Sequence, residues 1–535
     1  MQSTIPRRII LLAGAAIASS STVLGVAANA YATSTKKLLT VTSWNIAAIN
    51  NNPFEYWIEH KDPRYNSLMA GVEKFMSDDS ENVSIEKVFS QAKYDELEAF
   101  MSKQPSVSAD LLREVREKRW PELKQKKIVT GFLKDAEIGK KRLASMPDRL
   151  TNTLALKGDS NSQAVTMLRP TPINCYPIHF KSFDDWWGQW TRYMFETPLP
   201  NKKNVFSLLK PIPRAKYPEL SEDDERVSLP LQVVSIAIFD AILVHMLEKI
   251  GQGFWQELRS EMCLALNSKK NERVLDILSN GYGHSDVVCL QEVGAAFAAQ
   301  AMDTLQDFWV IVPSSAKALS RDQNSVILAK KSIFANQPLD VTHSVPLSGA
   351  PVEDGDLLIV QGSSVEGNRF ILASFHGDTD GLATIPVIRA VVEYALKQDA
   401  VLVFGLDANA YNKFKKGKQL DVREFNKEFR SLALTSCFGN DLDPTNYTTF
   451  NARTFLQPQL NKAASRNEFM EKGDVNPKDF ILTFEKHGSF SGTVKDNTGE
   501  KKYVENMVFP TLTFPSDHGI VSSTLTLVDK NVCTS

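Results

Sequence analysis

Residues Leu38 to Ile46 (LLTVTSWNI) alternate polar and apolar positions and are rich in β-branched side chains, a period of two that predicts a buried strand. From about Asn51 to Ser268 the period changes. Ser84 to Met101 and Val107 to Arg119 carry apolar residues at helical spacing among charged ones; Leu231 to Ile250 reads as a longer apolar helix and Phe254 to Leu266 as another. Asp240 and His245 inside the longest of these mark a buried core helix, because ionisable groups at mid-span are costly in a bilayer. After this block the pattern becomes regular α/β. A helix at Glu272 to Ser279 leads to a strand at Asp286 to Glu292 and a helix at Ala295 to Leu305. Strands follow at Phe308 to Val312, Ser325 to Ala329, Leu357 to Gln361 and Arg369 to His376. A helix at Leu382 to Leu396, a strand at Ala400 to Leu406, a helix near Arg423 to Leu432 and strands at Phe480 to Phe484 and Gly519 to Leu527 complete the series.

Composition narrows the class. The 535 residues include 61 Lys and Arg against 63 Asp and Glu, a formal charge of −2, with 43% hydrophobic and 23% charged positions. These values exclude a mostly disordered chain, a collagen-like repeat and a polytopic membrane protein. They argue against a surface built throughout for polyanions, and leave a local basic groove open. At roughly 150 residues per domain, length alone suggests about three domains.

The first 32 residues stand apart. Arg7 and Arg8 precede an apolar stretch from Ile9 to Ala18, and the segment closes in Ala28-Asn29-Ala30-Tyr31-Ala32, with two small-x-small cleavage sites. This is the layout of a secretory signal peptide and predicts export. An uncleaved membrane anchor over Ile9 to Ala28 and an organelle-targeting leader are the alternatives. Five cysteines (Cys175, Cys263, Cys289, Cys437, Cys533) with no CxxC pair make neither a disulfide framework nor a zinc site. Cys289, inside a strand, reads as core; the others leave room for one or two disulfides of unreadable connectivity. Asn82-Val83-Ser84 and Asn446-Tyr447-Thr448 are sequons for a secretory route.

Six polar motifs fall at expected strand ends, where loops hold side chains over a rigid sheet. They are Trp44-Asn45, Gln291-Glu292, Phe375-His376-Gly377-Asp378, Gly405-Leu406-Asp407-Ala408-Asn409, Lys478-Asp479-Phe480 and Pro515-Ser516-Asp517-His518. Each alone has a plain explanation: Asn45 as a turn residue, Glu292 as a surface charge, His376 as a structural histidine, Asp407-Ala408-Asn409 as a βα turn. Their order decides against that. Strand-Asn, strand-Gln-Glu, strand-His, strand-Asp-x-Asn, Asp-hydrophobic and Ser-Asp-His before a last strand resembles the endonuclease/exonuclease/phosphatase superfamily. Its members include pancreatic deoxyribonuclease, abasic-site endonucleases, inositol polyphosphate phosphatases and neutral sphingomyelinases. The resemblance covers about residues 36–50 and 270–528. It implies an α/β fold, a four-layer α/β sandwich with two packed, mostly antiparallel sheets flanked by helices. Residues 51–268 then form a mainly helical insertion in that catalytic domain, behind the leader at 1–32.

The resemblance also implies a chemistry. A phosphodiester is anionic and resists nucleophiles, so its charge must be neutralised while a water is activated. Mg²⁺, with Mn²⁺ as the alternative, takes oxygen ligands, and the implied sparse shell is Glu292 with Asn45 and Asp517. Asp407 would orient or deprotonate the attacking water, and Asn409 would hold it and a phosphate oxygen. His518 would lie against the phosphate with Asp479 on its other nitrogen, and His376 would contact the phosphate and assist the leaving group. In-line attack of water without a covalent intermediate follows.

Nucleic acid is the substrate class expected first. A sphingomyelinase-like lipid phosphodiesterase, whose apolar insertion helix would touch a membrane surface, and a phosphatase are the alternatives; an inactive binding protein on the same fold is one of another class. Lys478-Asp479-Phe480 lacks the Cys-Asp-Arg of the inositol phosphatase version, which argues against an inositide phosphatase. Asp378 and Asp380 beside His376 are expected to cap the helix near Leu382, a second metal being the alternative. Lys413-Phe414-Lys415-Lys416-Gly417-Lys418 is either a contact to substrate phosphates or a solvated loop. Trp186, Trp187 and Trp190 are expected to pack a helical subdomain rather than stack on bases or enter lipid, and Lys140-Lys141-Arg142 to be a charged helix face. The oligomeric state is not legible.

Overall fold

A computed structural model describes residues 37–135, 137, 153–156, 165–199, 204–315, 321, 323–347, 349–456 and 473–528. The leader, Lys140-Lys141-Arg142 and Cys533 lie outside the described residues. The α/β part is built from β1 (Leu38–Asn45), β2 (Val287–Val293), β3 (Phe308–Ile311), β4 (Asn324–Lys330), β5 (Leu339–Asp340), β6 (Leu357–Ser363), β7 (Arg369–His376), β8 (Val401–Asp407), β9 (Leu434–Ser436), β10 (Asp479–Phe484), β11 (Gly488–Asp496) and β12 (Ile520–Leu527). They form two six-stranded sheets, ordered β11-β12-β1-β2-β4-β3 and β9-β10-β8-β7-β6-β5. Within them β1–β2 and β7–β8 pair in parallel and the other neighbours antiparallel, the mostly antiparallel arrangement expected.

Alternation along the strands makes the layers. Val287 and Cys289 of β2 face Phe370, Leu372, Val401 and Val403 of the second sheet. Val288 and Leu290 face the other way, onto Val274 of α7 (Lys270–Asp276) and Phe297 of α8 (Ala295–Thr304). On the far side, Leu402 and Phe404 pack on Val387 and Val391 of α9 (Thr384–Lys397) and Phe425 of α10 (Val422–Ser431). The result is a four-layer α/β sandwich. The sheets approach closely at Gly405, where a Cβ would lie 2.5 Å from the Cβ of Cys289.

Between β1 and α7 the insertion packs α1 (Pro63–Ser77), α2 (Gln91–Met101), α3 (Ala109–Glu114), α4 (Phe183–Thr191), α5 (Glu222–Gly251) and α6 (Phe254–Cys263) around a core of its own. Trp186, Trp187 and Trp190 are buried in it, as expected, and offer no face to a base or a lipid. Residues 84 to 90 form a short turn, and α2 starts later than its periodicity suggests because Ser90 caps it. α5 begins before the expected Leu231, since a capping box on Ser221 and Asp224 adds turns ahead of Pro230. It is long and apolar enough to cross a membrane, and its apolar window is wholly buried. This overturns the expectation that it would meet a bilayer in the lipid alternative. β11 has no counterpart among the expected strands: it is an edge strand whose Ser, Thr and Lys positions leave little apolar alternation.

A buried charge pair crosses the insertion's core. Arg169 Nε lies 3.0 Å from Asp240 Oδ2, which also accepts a hydrogen bond from Trp190 Nε1 at 2.9 Å. Cys175 and Cys263 form a disulfide, while Cys289 and Cys437 are buried and free. Because the Arg169 charge is compensated only where water cannot reach, Asp240→Ala should cost about 3–5 kcal/mol, read as a lower urea midpoint at unchanged slope. Replacing both partners by Arg169→Met and Asp240→Leu should recover much of that loss.

Candidate active site

The two parallel strand pairs end at the same edge of the sandwich. Register sets Asn45 opposite Gln291, His376 opposite Asp407 and Asp407 opposite Asp479, so polar residues from both sheets converge there. Gln291 ties the sheets together just beneath, its Nε2 donating to Ser374 Oγ at 3.0 Å. The backbone at this edge is bent to present side chains. A bulge between Leu290 and Val293 throws Glu292 into the left-handed region at φ 53°, and Ala47 and Asn409 lie there too at 55° and 47°. For non-glycine residues that conformation costs on the order of 1 kcal/mol each, sustained by the packing around them.

Glu292 is fixed on both oxygens: Oε1 accepts from Asn45 Nδ2 at 3.0 Å and Oε2 from the Ala48 N–H at 2.9 Å. Burial pushes its carboxyl up, but the His376 charge, the Ala48 N–H, the Asn45 amide and His518 outweigh that and hold it down to about 2. Asn45 also donates to Asp407 Oδ2 at 3.0 Å, and its Oδ1 accepts from the Ala47 N–H. Asp407 Oδ1 accepts from the Asn409 N–H at 2.9 Å, while Oδ2 faces the Nε2 atoms of His518 at 3.6 Å and His376 at 3.7 Å. His376 Nε2 is also 3.4 Å from Glu292.

On the opposite side His518 Nδ1 donates to Asp479 Oδ2 at 2.9 Å, and Thr448 Oγ1 donates to the same carboxylate at 2.6 Å. Burial disfavours the imidazolium, yet Asp479 first and Asp407 next raise His518 well above its ordinary value. Ser516 donates to the Asn45 carbonyl and accepts from the His518 N–H, locking the last motif to the first. Asn409, 3% exposed, has a buried Nδ2 with no hydrogen-bond partner, on the wall of a cleft of about 470 Å³.

All eight sequence-derived residues meet at this edge. Glu292, His376, Asp407, Asn409, Asp517 and His518 line the cleft, with Asn45 and Asp479 beneath them. Asp378 orders the turn ahead of α9 rather than capping it, a correction to the expected cap: its carboxylate accepts from the N–H groups of Leu382 and Ala383, whereas α9 starts at Thr384 with no side-chain cap. Lys413 and Lys415 do not line the cleft but an adjoining groove.

The cleft also holds residues beyond these eight. Tyr56, from the start of the insertion, donates to Asp517 Oδ2 at 2.9 Å. Arg453 lies 5.2 Å over the Tyr56 ring and pairs with Glu55. Lys478 bonds Asp474 at 2.7 Å. Lys270, at the end of the insertion, donates to the Ala48 carbonyl at 3.0 Å; burial pulls it down to about 8 against the opposing pull of Asp517 and Glu292. Insertion residues thus build one wall of the cleft, and they are invisible to motif reading because they come from a segment outside the six stations.

Two groupings could be considered for a metal. Asp407, Asp479 and His518 lie within 4.8 Å of one another. Within this trio Asp479 already receives both His518 and Thr448, so its carboxylate is committed to orienting the histidine. Glu292 and Asp517 offer the hard oxygen donors that suit Mg²⁺ or Mn²⁺ in a water-accessible cleft, with Asn45 buried beneath them and its amide oxygen on the Ala47 N–H.

The raised His518 value fixes a sign. Its stabilising contribution is complete below the ordinary value of 6.5 and is lost as pH rises through the folded value. Asp479→Asn should therefore bring the His518 imidazole resonances to titrate at lower pH than in the wild type, measured by NMR. A titration that does not move would show that Asp479 is not the group holding the proton.

Comparison with known proteins adds little to this geometry. A family model described as a domain of unknown function (DUF8234) matches residues 82–260, inside the insertion. No curated protein matches the chain. Among solved structures, truncated Caenorhabditis elegans TDP2 is 14% identical, over 48% of this chain and 89% of that one, at a TM-score of 0.31. The human Nocturnin catalytic domain with bound sulfate is 14% identical over 49% and 88%, at 0.34. An endonuclease/exonuclease/phosphatase family protein from Bacteroides thetaiotaomicron is 14% identical over 50% and 93%, at 0.33. With scores this low, the assignment rests on the sheet order and the six stations. On that ground this chain has an endonuclease/exonuclease/phosphatase-like fold, interrupted by a large helical insertion.

Proposed function

We propose that this protein is an exported, divalent-metal-dependent phosphodiesterase acting on nucleic acid. The observation that carries the reading is a pair of opposed groups in one cleft: the Glu292 carboxylate, fixed by Asn45 and the Ala48 N–H, and the His518 imidazole, with Asp479 on its Nδ1. Such a pair suits an anionic substrate that must be gripped by positive charge while water is brought to its phosphorus.

Glu292, Asp517 and the Asn45 oxygen would hold Mg²⁺ or Mn²⁺, which when bound supplies charge neutralisation at the phosphate. His518, oriented by Asp479, presents its Nε2–H to a non-bridging phosphate oxygen. Asn409 Nδ2, otherwise without a partner, donates to the phosphate or to the attacking water. Asp407 Oδ2, between the two histidines, orients that water and accepts its proton as the O–P bond forms. His376 protonates the leaving oxygen as the opposite P–O bond breaks. Export is supported by the leader sequence and by the Cys175–Cys263 disulfide, since such bonds persist in oxidising compartments.

A second reading, a lipid phosphodiesterase, is favoured by the apolar rim on the insertion side of the cleft, where Ile49 is 44% exposed beside Leu266. One panel separates the two: single-stranded and duplex DNA, RNA, sphingomyelin liposomes and inositol phosphates, each with Mg²⁺ or Mn²⁺ and with chelator. Cleavage of nucleic acid that chelator abolishes is expected; turnover confined to liposomes would overturn the substrate class. Glu292→Ala should lower kcat/KM by about a thousandfold or more, as loss of a metal's several kcal/mol requires. Wild type and variant both at background on every substrate would leave a binding protein on a retained fold as the better account. Tyr56→Phe, which removes only the hydroxyl on Asp517, should weaken Mn²⁺ binding by about tenfold, read directly by electron paramagnetic resonance without substrate.

A further inference from the structure

Beside the cleft lies a groove of about 370 Å³ whose walls include Tyr411, Asn412, Lys413, Lys415, Tyr447 and Arg453. Arg453 and Asp474 line both spaces, so the groove and the cleft adjoin across one guanidinium. We propose that this groove is a nucleotide subsite, taking the phosphate and base next to the scissile diester of a single nucleic-acid strand. The proposal rests on the phosphodiesterase reading and specifies its substrate.

Charge comes first. Asp474 is answered by Lys478 at 2.7 Å, which leaves Lys413, Lys415 and Arg453 to meet an incoming anion. A lipid or a small diester carries one phosphate and would engage the cleft alone. A nucleic-acid strand carries a phosphate at every residue, and a second cationic space beside the first is what it uses.

Arg453 is preset for this. The insertion holds it through Glu55 and through the Tyr56 ring beneath its guanidinium, and the planar fork keeps further N–H donors for phosphate. The segment 82–260 matched by a domain of unknown function thus belongs to an insertion whose first residues set the arginine between the two spaces.

The rest of the wall is also built in advance. The lysine loop is pinned at both ends by pairing of Ala410 with Leu420 and of Tyr411 with Asp421. Asn412 donates through Nδ2 to the Tyr447 hydroxyl and through its N–H to Asn476. Tyr411, whose ring carries the Lys478 ammonium at 5.1 Å, and Tyr447 line the groove, and Phe414, between the two lysines, is 40% exposed. Aromatic faces interleaved with cations are how proteins hold single strands without reading their sequence.

The test compares the full chain with Lys413→Ala/Lys415→Ala on two substrates. Bis(4-nitrophenyl) phosphate reaches only the cleft; a single-stranded DNA octamer spans cleft and groove. The ratio of kcat/KM for octamer over diester should fall at least about tenfold in the variant. With chelator present to stop turnover, fluorescence anisotropy of labelled octamer should show its salt slope reduced by about 1.4, two lost contacts at about 0.7 each. An unchanged ratio with an unchanged slope overturns the subsite. A wild type that leaves the small diester intact overturns the phosphodiesterase reading instead, and the chelator-held octamer then judges the groove alone: a reduced slope supports it and an unchanged slope ends it.

Discussion

A carboxylate that is 1% exposed between two sheets has to be matched where it lies, because an unpaired buried charge costs several kcal/mol. Asp407 is that group. Its nearest partners come from both halves of the sandwich: Asn45 from the first sheet, Asn409 from its own turn, and two histidines within 4 Å. The bond from Asn45 to Asp407 spans the sheets and also places the donor that holds Glu292. One amide therefore ties sheet packing to the charge state of the site. That dependence explains why the sheets close tightly at Gly405, two residues before Asp407, where a single added methyl would push them apart.

The insertion acts on the same edge from outside. It is not a bead hung on a loop, for its chain enters just after Asn45, beneath the cleft, and leaves at Lys270, which lines it. Its core reaches into the sandwich, with Ala452 and Leu456 packed among its helices, and backbone bonds join Trp57 to Ala452 and Thr454 to Glu55. Tyr56 and Arg453 lie where these two surfaces meet, which is why an insertion tyrosine can bond a carboxylate of the last motif.

How much of this is legible without coordinates depends on how local each signal is. The strands of the inter-sheet core announce themselves because alternate residues are apolar on opposing layers, and the eight site residues because they follow those strands in a fixed order. β11 does not, since an edge strand with one solvated face needs no apolar alternation. Asp378 reads as a cap from its distance to the next helix, but α9 starts two residues later than expected, so its carboxylate orders the turn ahead of the helix instead. Tyr56 and Lys270 are not legible at all: nothing within either neighbourhood says that it will border a cleft assembled from residues far along the chain.

Net charge looks uninformative at −2 until its distribution is known. A site of the kind proposed needs acids for a metal and cations for a phosphate in the same few ångströms, so local balance is the expected state of such an edge. What distinguishes its two sides is which charges are already spent. Lys478 is committed to Asp474 and Asp479 to His518, whereas the Lys413 and Lys415 side chains stand at a groove in front of solvent. The acids that remain lie toward Asn45, and the cations that remain lie toward Tyr411. On the proposed reading, a substrate crossing this edge would meet a metal at one end and its counter-charge at the other, and that polarity, rather than the overall sum, would set the direction in which a strand lies.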